Sequence, residues 1–115
     1  MSYKYSMKPA FEKRMRALLP DEKDFTEYEK IIHEQPRNFI RCNTLKISTN
    51  ELFSRLQKKW QVEQPFQNNP EIMLITSQLN PGELGNALEH ILGYYYIQEI
   101  SSMLPVIALE PQPGE

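Results

Sequence analysis

The chain has 115 residues, of which 40% are apolar, 24% charged and 10% aromatic, a composition that excludes disordered, collagen-like and coiled-coil proteins. Its single cysteine excludes a disulfide framework and a cysteine-rich zinc site. No apolar run reaches the ~18 residues of a membrane span, and the first residues lack the apolar stretch of a signal peptide. We therefore expect a reduced, cytoplasmic setting.

The charges are unevenly distributed along the chain despite a net charge of −2. All 13 lysines and arginines lie within residues 1–59 together with eight acids, whereas residues 60–115 contain seven acids and no lysine or arginine. The two parts thus carry +5 and −7. This split suggests an acidic partner such as nucleic acid for the basic part. The alternative is that the charges interleave in space and largely cancel.

Two helices are predicted at the start of the chain. The first spans residues 9–19, because a proline suits its first position and apolar residues follow at helical spacing. The second spans residues 21–34, where the carboxylate of Asp21 or Asp24 can accept hydrogen bonds from the first turn. A following proline ends each of them.

The hydrophobic period changes after residue 36. Residues 37–47 alternate in character and are rich in β-branched and aromatic side chains, which predicts a strand in the centre of a sheet. Residues 48–60 open with Ser-Thr-Asn-Glu, the spacing of a helix capping box, and are predicted to be helical. Two short strands are predicted over 61–66 and 71–76, on either side of an Asn-Asn-Pro turn.

A short helix over residues 84–91 and a strand over 94–97 complete this part of the chain, with Gly93 between them as a left-handed helix cap. The order is two helices, then β-α-β-β-α-β, then a last helix. It predicts an α+β fold, a ferredoxin-like or RNA-recognition-type sandwich preceded by two helices, with helices on one face of the antiparallel sheet.

The last helix is predicted over Met103–Leu109, opened by Ser101 or Ser102, with Pro105 tolerated only in its first turn. Its apolar residues occupy most of the circumference, and such a helix requires burial on nearly all sides. A peripheral helix of a small sandwich buries one side. We therefore expect either a partner that covers this helix or, preferably, a larger protein of which the chain is a segment.

The sequence offers no self-contained catalytic or metal site. Cys42 is interpreted as a core residue, since no base is placed to lower its pKa, and His33 and His90 lack the spacing of a metal pair. The glycines do not form a phosphate-binding loop. Three glutamates could supply a carboxylate pair, but nothing fixes their geometry: Glu83, Glu89 and Glu99.

Basic residues lie along the predicted strand over 37–47 and along the helix after it. Phosphate binding requires such clustered lysines and arginines. Single-stranded RNA also stacks on exposed aromatic rings. Three consecutive tyrosines could provide such rings. In a strand Tyr94 and Tyr96 share one face and Tyr95 takes the other. We expect Tyr95 to be core and leave the other two open.

Two stretches resemble a known family. Residues 40–46, Ile-Arg-Cys-Asn-Thr-Leu-Lys, are similar to its Arg-x-Asn-Thr-Leu-Lys signature. Residues 93–104, Gly-Tyr-Tyr-Tyr-Ile-Gln-Glu-Ile-Ser-Ser-Met-Leu, resemble its Gly-x-x-x-x-Gln-(Asp/Glu)-x-(Ser/Ala)-Ser helix entry. The family is that of the NOL1/NOP2/Sun RNA (cytosine-5) methyltransferases, and the similarity covers about residues 25–115.

The resemblance implies a division of the chain. Residues 1–36 would be an N-terminal helical extension, 37–99 an α+β RNA-binding subdomain, and 100–115 a linker helix into a Rossmann-like catalytic domain. In the family that domain binds S-adenosylmethionine and carries two cysteines, and this chain contains neither its cofactor loop nor those cysteines. We therefore assign no catalytic, cofactor-binding or metal-binding residue.

The RNA-binding residues that we predict combine the signature positions with nearby basic residues: Arg37, Arg41, Asn43, Lys46, Lys58 and Lys59. A structural role for Asn43, tying a turn to the backbone, stays open beside the RNA-binding one. The expected function is the N-terminal RNA-binding portion of an S-adenosylmethionine-dependent RNA (cytosine-5) methyltransferase. It would position tRNA or rRNA for a catalytic domain supplied in cis.

The alternative is a stand-alone RNA-binding or adaptor module whose partner protein covers the last helix. Neither hypothesis involves a membrane. The alternatives differ in what covers the last helix, a domain of the same polypeptide or a second protein.

Overall fold

The computed structural model describes residues 6–115, and the chain divides into two compact units, Met1–Pro36 and Arg37–Glu115. The first unit contains the helices α1 (Pro9–Leu18) and α2 (Glu22–Ile32). Both helices were predicted and are confirmed with slightly shorter ends. Asp21 rather than Asp24 caps α2, because its carboxylate accepts a hydrogen bond from the backbone N–H of Lys23 at 2.8 Å.

One arginine joins the two helices of this first unit. The guanidinium of Arg16 forms ion pairs with Glu12 at 3.2 Å and with Glu22 at 3.3 Å. It also lies 3.9 Å from the ring centroid of Phe25, which is the buried apolar residue of α2. Arg16 therefore has a structural role within its own unit.

The second unit is an α+β structure built on a four-stranded antiparallel sheet with the spatial order β2-β3-β1-β4. The first strand is central in the sheet, as predicted, and each strand is shorter than its prediction. The elements in chain order are β1 (Asn38–Cys42), α3 (Thr49–Leu56), β2 (Val62–Glu63), β3 (Ile72–Ile75), α4 (Glu83–Asn86), α5 (Leu88–Ile91), β4 (Tyr95–Ile97) and α6 (Ile100–Leu109).

One face of the sheet forms the main core with α3 and α4. Ser48 caps α3 by accepting a hydrogen bond from the backbone N–H of Glu51 at 3.2 Å, as the capping-box spacing predicted. The predicted helix over 84–91 is instead two short helices, because Ala87 between them is extended, with ψ at 145°. The buried residues of this core are Ile40, Cys42, Ile47, Leu52, Leu56, Trp60, Val62, Met73, Ile75, Leu84 and Tyr95.

The other face of the sheet is covered in part by α6. Phe39 of β1 and Ile72 of β3 form a second buried cluster with Met103 of α6, since side chains alternate between the two faces of a strand. The prediction that the helices of the β-α-β-β-α-β part lie on one face of the sheet agrees with α3 and α4. The last helix, α6, adds cover to the other face.

The helix α6 begins earlier than predicted. It starts at Ile100, after an N-cap at Glu99 whose side chain makes no capping bond, so Ser101 and Ser102 lie inside the helix. Pro105 consequently falls beyond the first turn, and the expectation that it would be tolerated only there is wrong. Among residues 6–115, no helix has the length and apolar character needed to cross a bilayer.

The outward side of α6 is apolar and exposed. Leu104 is 51% exposed and Leu109 is 75% exposed, and Val106 is also exposed. The helix therefore buries one side on the sheet and leaves the other uncovered within the described part of the chain.

Candidate nucleic-acid interface

A groove of about 670 Å³ lies beside the ends of β1 and β4 and the turn that follows β1. Residues from both stretches of the family signature line it, together with Glu71, which precedes β3. We call it the signature groove, and its lining residues are Arg41, Cys42, Asn43, Thr44, Lys46, Glu71, Gly93 and Tyr96.

Asn43 forms the wall of the signature groove by joining the two stretches. Its side-chain amide donates a hydrogen bond to the carbonyl of Gly93 at 3.0 Å, and its side-chain oxygen accepts one from the N–H of Leu45 at 3.3 Å. Its backbone N–H donates to the carbonyl of Tyr94 at 2.8 Å. The structure thus gives Asn43 a structural role in shaping the groove.

Arg41 and Tyr96 stand next to each other on neighbouring strands. They are directly opposite in the β1–β4 pairing and therefore share one face of the sheet, the face that carries α6. Arg41 is partly buried and has no hydrogen-bond or ion-pair partner among residues 6–115, and Tyr96 is 60% exposed. This pair places a free guanidinium beside a free aromatic ring.

The other two tyrosines are used inside the protein. Tyr95 is 3% exposed, and its hydroxyl donates to the carbonyl of Leu84, so the prediction of a core residue is confirmed. Burial raises the pKa of Tyr95 above its usual value, and the negative charge of Glu89 adds to the effect. Tyr94 is partly buried, with the Arg55 guanidinium 5.2 Å from its ring centroid.

Lys46 lies on the rim of the signature groove. Its ammonium group donates a hydrogen bond to the carbonyl of Leu92 at 3.3 Å, just before the left-handed Gly93. The side chain is otherwise exposed. Its charge therefore adds to that of Arg41 at this end of the sheet.

Two more of the predicted residues lie after α3, and the structure separates them. Lys58 is exposed and has no partner in the described part of the chain, whereas Lys59 forms an ion pair with Glu89 at 2.6 Å. Arg55 approaches the second oxygen of the same carboxylate at 3.7 Å. Arg37 is exposed just before β1, and no partner is described for it in residues 6–115.

Glu89 is a buried carboxylate that needs these cations. Its side chain is 5% exposed. Burial by itself would raise its pKa, but the hydrogen bond from Lys59 and the charges of Lys59 and Arg55 outweigh this and hold the pKa below its ordinary value. The ammonium group of Lys59 is therefore bound within the protein, although the neighbouring Lys58 is exposed.

Three further sequence candidates, Cys42, His90 and Glu83, are held by contacts within the fold. Cys42 is buried in the core as predicted, and burial followed by the charge of Glu71 raises the pKa of its thiol. The Nδ1 atom of His90 lies 2.8 Å from the carbonyl of Gly85. Glu83 accepts hydrogen bonds from the Asn80 N–H at 2.8 Å and from the indole of Trp60 at 2.9 Å, which lower its pKa.

The described residues do not fit a methyl-donor cofactor. Gly82 and Gly93 have positive φ angles and lie at the boundaries of short helices, so neither belongs to a glycine-rich turn between a parallel strand and a helix. No group of three or more metal-ligating side chains occurs within residues 6–115. We therefore derive no step of methyl transfer from this chain.

Sequence reasoning placed Arg41, Asn43 and Lys46 together, and the structure brings all three to the signature groove. It missed Glu71 and did not decide between the outer tyrosines. The strand register supplies that information, because it sets Tyr96 opposite Arg41. No short-range signal in the sequence marks that pairing.

Comparison with known proteins identifies similar chains. Residues 7–100 match the family described as the N-terminal domain of 16S rRNA methyltransferase RsmF. A ribosomal RNA small subunit methyltransferase F from Psychromonas ingrahamii is 38% identical over 109 residues, which are 95% of this chain and 23% of that protein. The same enzyme of Pectobacterium carotovorum is 40% identical over 97 residues, 83% of this chain and 20% of that protein.

Two solved structures share the fold. A methyltransferase homolog from Pyrococcus horikoshii has a TM-score of 0.65 with 29% identity, over 95% of this chain and 39% of that one. The crystal structure of PH0851 has a TM-score of 0.71 with 24% identity, over 97% of this chain and 28% of that one. The chain thus spans less than a quarter of the length of the curated relatives named above.

Proposed function

The chain belongs to the family of N-terminal domains of 16S rRNA methyltransferase RsmF, and from that premise we propose that it is the RNA-binding portion of an S-adenosylmethionine-dependent RNA (cytosine-5) methyltransferase. The methyltransferase family predicted from residues 40–46 and 93–104 is confirmed by the comparisons. We propose ribosomal RNA rather than tRNA as the substrate, because the relatives described above are named for ribosomal RNA.

The observation that carries the proposal is the signature groove. It joins the unpaired cation Arg41, the exposed ring of Tyr96 and the rim cation Lys46 within one concave surface. Cations neutralise phosphates, and exposed aromatic rings stack on unpaired bases. Arg37 and Lys58 are proposed as additional phosphate contacts, because both are exposed and unpartnered within residues 6–115.

We interpret the sheet as a ferredoxin-like, RNA-recognition-type subdomain. Its strand order, read from the other edge, is β4-β1-β3-β2, with α3 in one connection and α4 and α5 in the other. The helix α6 covers part of the face opposite α3. RNA is therefore proposed to bind at the Arg41–Tyr96 end of that face rather than across the whole sheet.

The outward side of α6 is proposed to contact the catalytic domain in cis. Leu104 and Leu109 are exposed there, and the relatives named above are more than four times longer than the region they share with this chain. That domain would bind the cofactor and carry the catalytic cysteines, in a cytoplasmic setting. Methyl transfer from S-adenosylmethionine to 16S rRNA by the 115-residue chain alone would contradict this assignment.

The RNA-binding function is tested by the salt dependence of affinity. We expect Arg41→Ala to weaken binding of a 16S rRNA fragment and to reduce the slope of log K against log salt by about one. Arg14→Ala is the matched control, because Arg14 is an exposed arginine on α1 outside the groove. Equal slopes for wild type and Arg41→Ala, measured by fluorescence anisotropy, would remove Arg41 from the interface.

A further inference from the structure

We propose that the signature groove holds one unpaired nucleotide whose base stacks on Tyr96, whose phosphate lies at Arg41, and whose exocyclic amino group donates to Glu71. This inference rests on the proposed RNA-binding function and deepens it. It names the kind of base that the groove selects, one with an amino group rather than uracil.

The stacking surface is the ring of Tyr96. It is 60% exposed, while Tyr95 beside it is 3% exposed. No ring–ring or cation–ring contact of Tyr96 occurs in the described part of the chain. Every base has a π-face that an aromatic ring can cover, so an uncovered ring within a groove suits an unpaired base.

The phosphate position follows from Arg41. Its planar guanidinium has five N–H donors, matches the geometry of a phosphate, and has no partner in residues 6–115. The register sets Arg41 directly opposite Tyr96, so the two residues lie on adjacent strands and on the same face of the sheet. The groove volume of about 670 Å³ lies within the ~300–1,000 Å³ in which proteins hold small ligands.

Glu71 supplies the selectivity. Its carbonyl accepts a hydrogen bond from the Cys42 N–H at 2.8 Å, which anchors this residue to the end of β1. One carboxylate oxygen accepts from the Asn69 amide at 3.2 Å, and the other oxygen has no described partner. A carboxylate repels phosphate, so in this proposal the base of the nucleotide and not its phosphate lies at Glu71.

A carboxylate accepts hydrogen bonds and cannot donate them. Cytosine presents an amino group at N4, where uracil presents a carbonyl oxygen. The two bases have rings of the same size, so a preference for cytosine that Glu71→Gln removes reports on the contact between the carboxylate and the N4 amino group.

The test measures binding of fluorescein-labelled hexacytidylate and hexauridylate to the 115-residue chain at low salt. We expect wild type to bind hexacytidylate about tenfold more tightly than hexauridylate. One hydrogen bond to a charged group produces an affinity ratio of about that size. Glu71→Gln should abolish that preference, because the amide of glutamine can donate to the uracil carbonyl. Equal affinity of wild type for the two oligonucleotides overturns the selectivity.

Base stacking on Tyr96 is tested with variants of that residue. Tyr96→Ala is expected to weaken binding of both oligonucleotides by about tenfold, and Tyr96→Phe to keep wild-type affinity, because the ring and not the hydroxyl stacks. Phe66→Ala is the matched control, since Phe66 is an aromatic residue 40% exposed and outside the groove. Equal losses for Phe66→Ala and Tyr96→Ala overturn the stack, and thermal melting confirms that each variant is folded.

Failure of the nucleotide site and failure of RNA binding are distinguishable. If Arg41→Ala weakens binding of the rRNA fragment while Tyr96→Ala and Glu71→Gln behave as wild type, RNA binding stands and the nucleotide site is wrong. If wild type binds neither the fragment nor the oligonucleotides, both are wrong.

Discussion

Two regions of the second unit contain basic side chains that the sequence predicts to bind RNA. The regions differ in whether an acidic side chain pairs with the cation. After α3, Lys59 covers a glutamate that is 4% exposed and binds it at 2.6 Å. At the end of β1, Arg41 stands beside an exposed tyrosine and has no partner in the described part of the chain. Both residues are basic and near the signature, yet their surroundings give them different roles.

The difference teaches that a buried carboxylate decides the role of a cation. Removing a buried charge from its counterion is costly, so Glu89 holds Lys59 within the fold. Arg41 keeps its hydrogen-bond donors available because no acidic side chain pairs with it in residues 6–115. Arg41 is therefore the stronger candidate for an RNA contact than Lys59, and substitutions in the two regions test the difference.

The largest effect is expected from removing the cation that holds the buried carboxylate. Lys59→Ala leaves Glu89 with Arg55 at 3.7 Å as its closest remaining cation. We expect a loss of about 2 kcal/mol in the free energy of unfolding, measured by urea denaturation. Lys58→Ala is the matched control and should change it by less than about 0.5 kcal/mol, because Lys58 is exposed and has no ion-pair partner among residues 6–115. Equal losses would erase the distinction between the two regions.

A somewhat smaller effect is expected at the wall of the signature groove. Asn43→Ala removes the hydrogen bonds to Gly93 and from Leu45. We expect it to reduce the free energy of unfolding by about 1.5 kcal/mol, since each net hydrogen bond contributes about 1 kcal/mol or less. Denaturation that is indistinguishable from wild type, combined with weaker RNA binding, would instead make Asn43 a direct RNA contact.

A smaller loss is expected at the left-handed turn beside Asn43. Gly93 has φ at +76°, and a Cβ atom there would lie 2.7 Å from the ammonium nitrogen of Lys46. The lysine can move, so Gly93→Ala is expected to cost about 1 kcal/mol, chiefly from the backbone conformation. Gly85→Ala is the control, because its Cβ would lie an ordinary 3.9 Å from Ile97. If both variants melt at the same temperature, the turn is not strained.

The smallest effect is expected from pH, because protonation leaves a neutral Glu89 in place. The pKa of Glu89 is lower in the folded state than its unfolded value of about 4.3. Its stabilisation is therefore complete above that value and is lost as the pH falls through the folded pKa. Wild type should lose more stability than Glu89→Gln between pH 7 and acidic pH, measured by denaturation at each pH. An equal loss would mean that the pair with Lys59 does not stabilise the fold.

Local sequence signals were sufficient to predict those features whose structure depends on residues close together in the chain. The first two helices, the capping interaction of Ser48 and the left-handed Gly93 were predicted and are observed, and of the two predicted cap residues of α2 the structure selects Asp21. The central position of β1 was also predicted, from the β-branched and aromatic content and the mixed faces of residues 37–47. The helices, the caps and the turn depend on contacts within a few residues, whereas the position of β1 is realised by its pairing with β3 and β4.

Predictions that required knowledge of distant partners were incomplete or wrong. The start of α6 was misplaced because serines suggested a cap, whereas its first residue Ile100 packs against the Phe39–Ile72–Met103 cluster on the sheet. The role of Lys59 was missed because its partner Glu89 lies 30 residues away. Tyr96 stayed undecided because its exposure depends on how far α6 extends over the sheet.

The amino-acid sequence by itself determined the family, the α+β class and the positions of the signature residues, because short motifs and hydrophobic periods are encoded locally. The tertiary structure alone decided which cations are paired, where α6 lies and that Tyr96 stands opposite Arg41. Strand register and burial are set by contacts between segments far apart in the chain. For this reason the free guanidinium and the uncovered ring become visible only after folding.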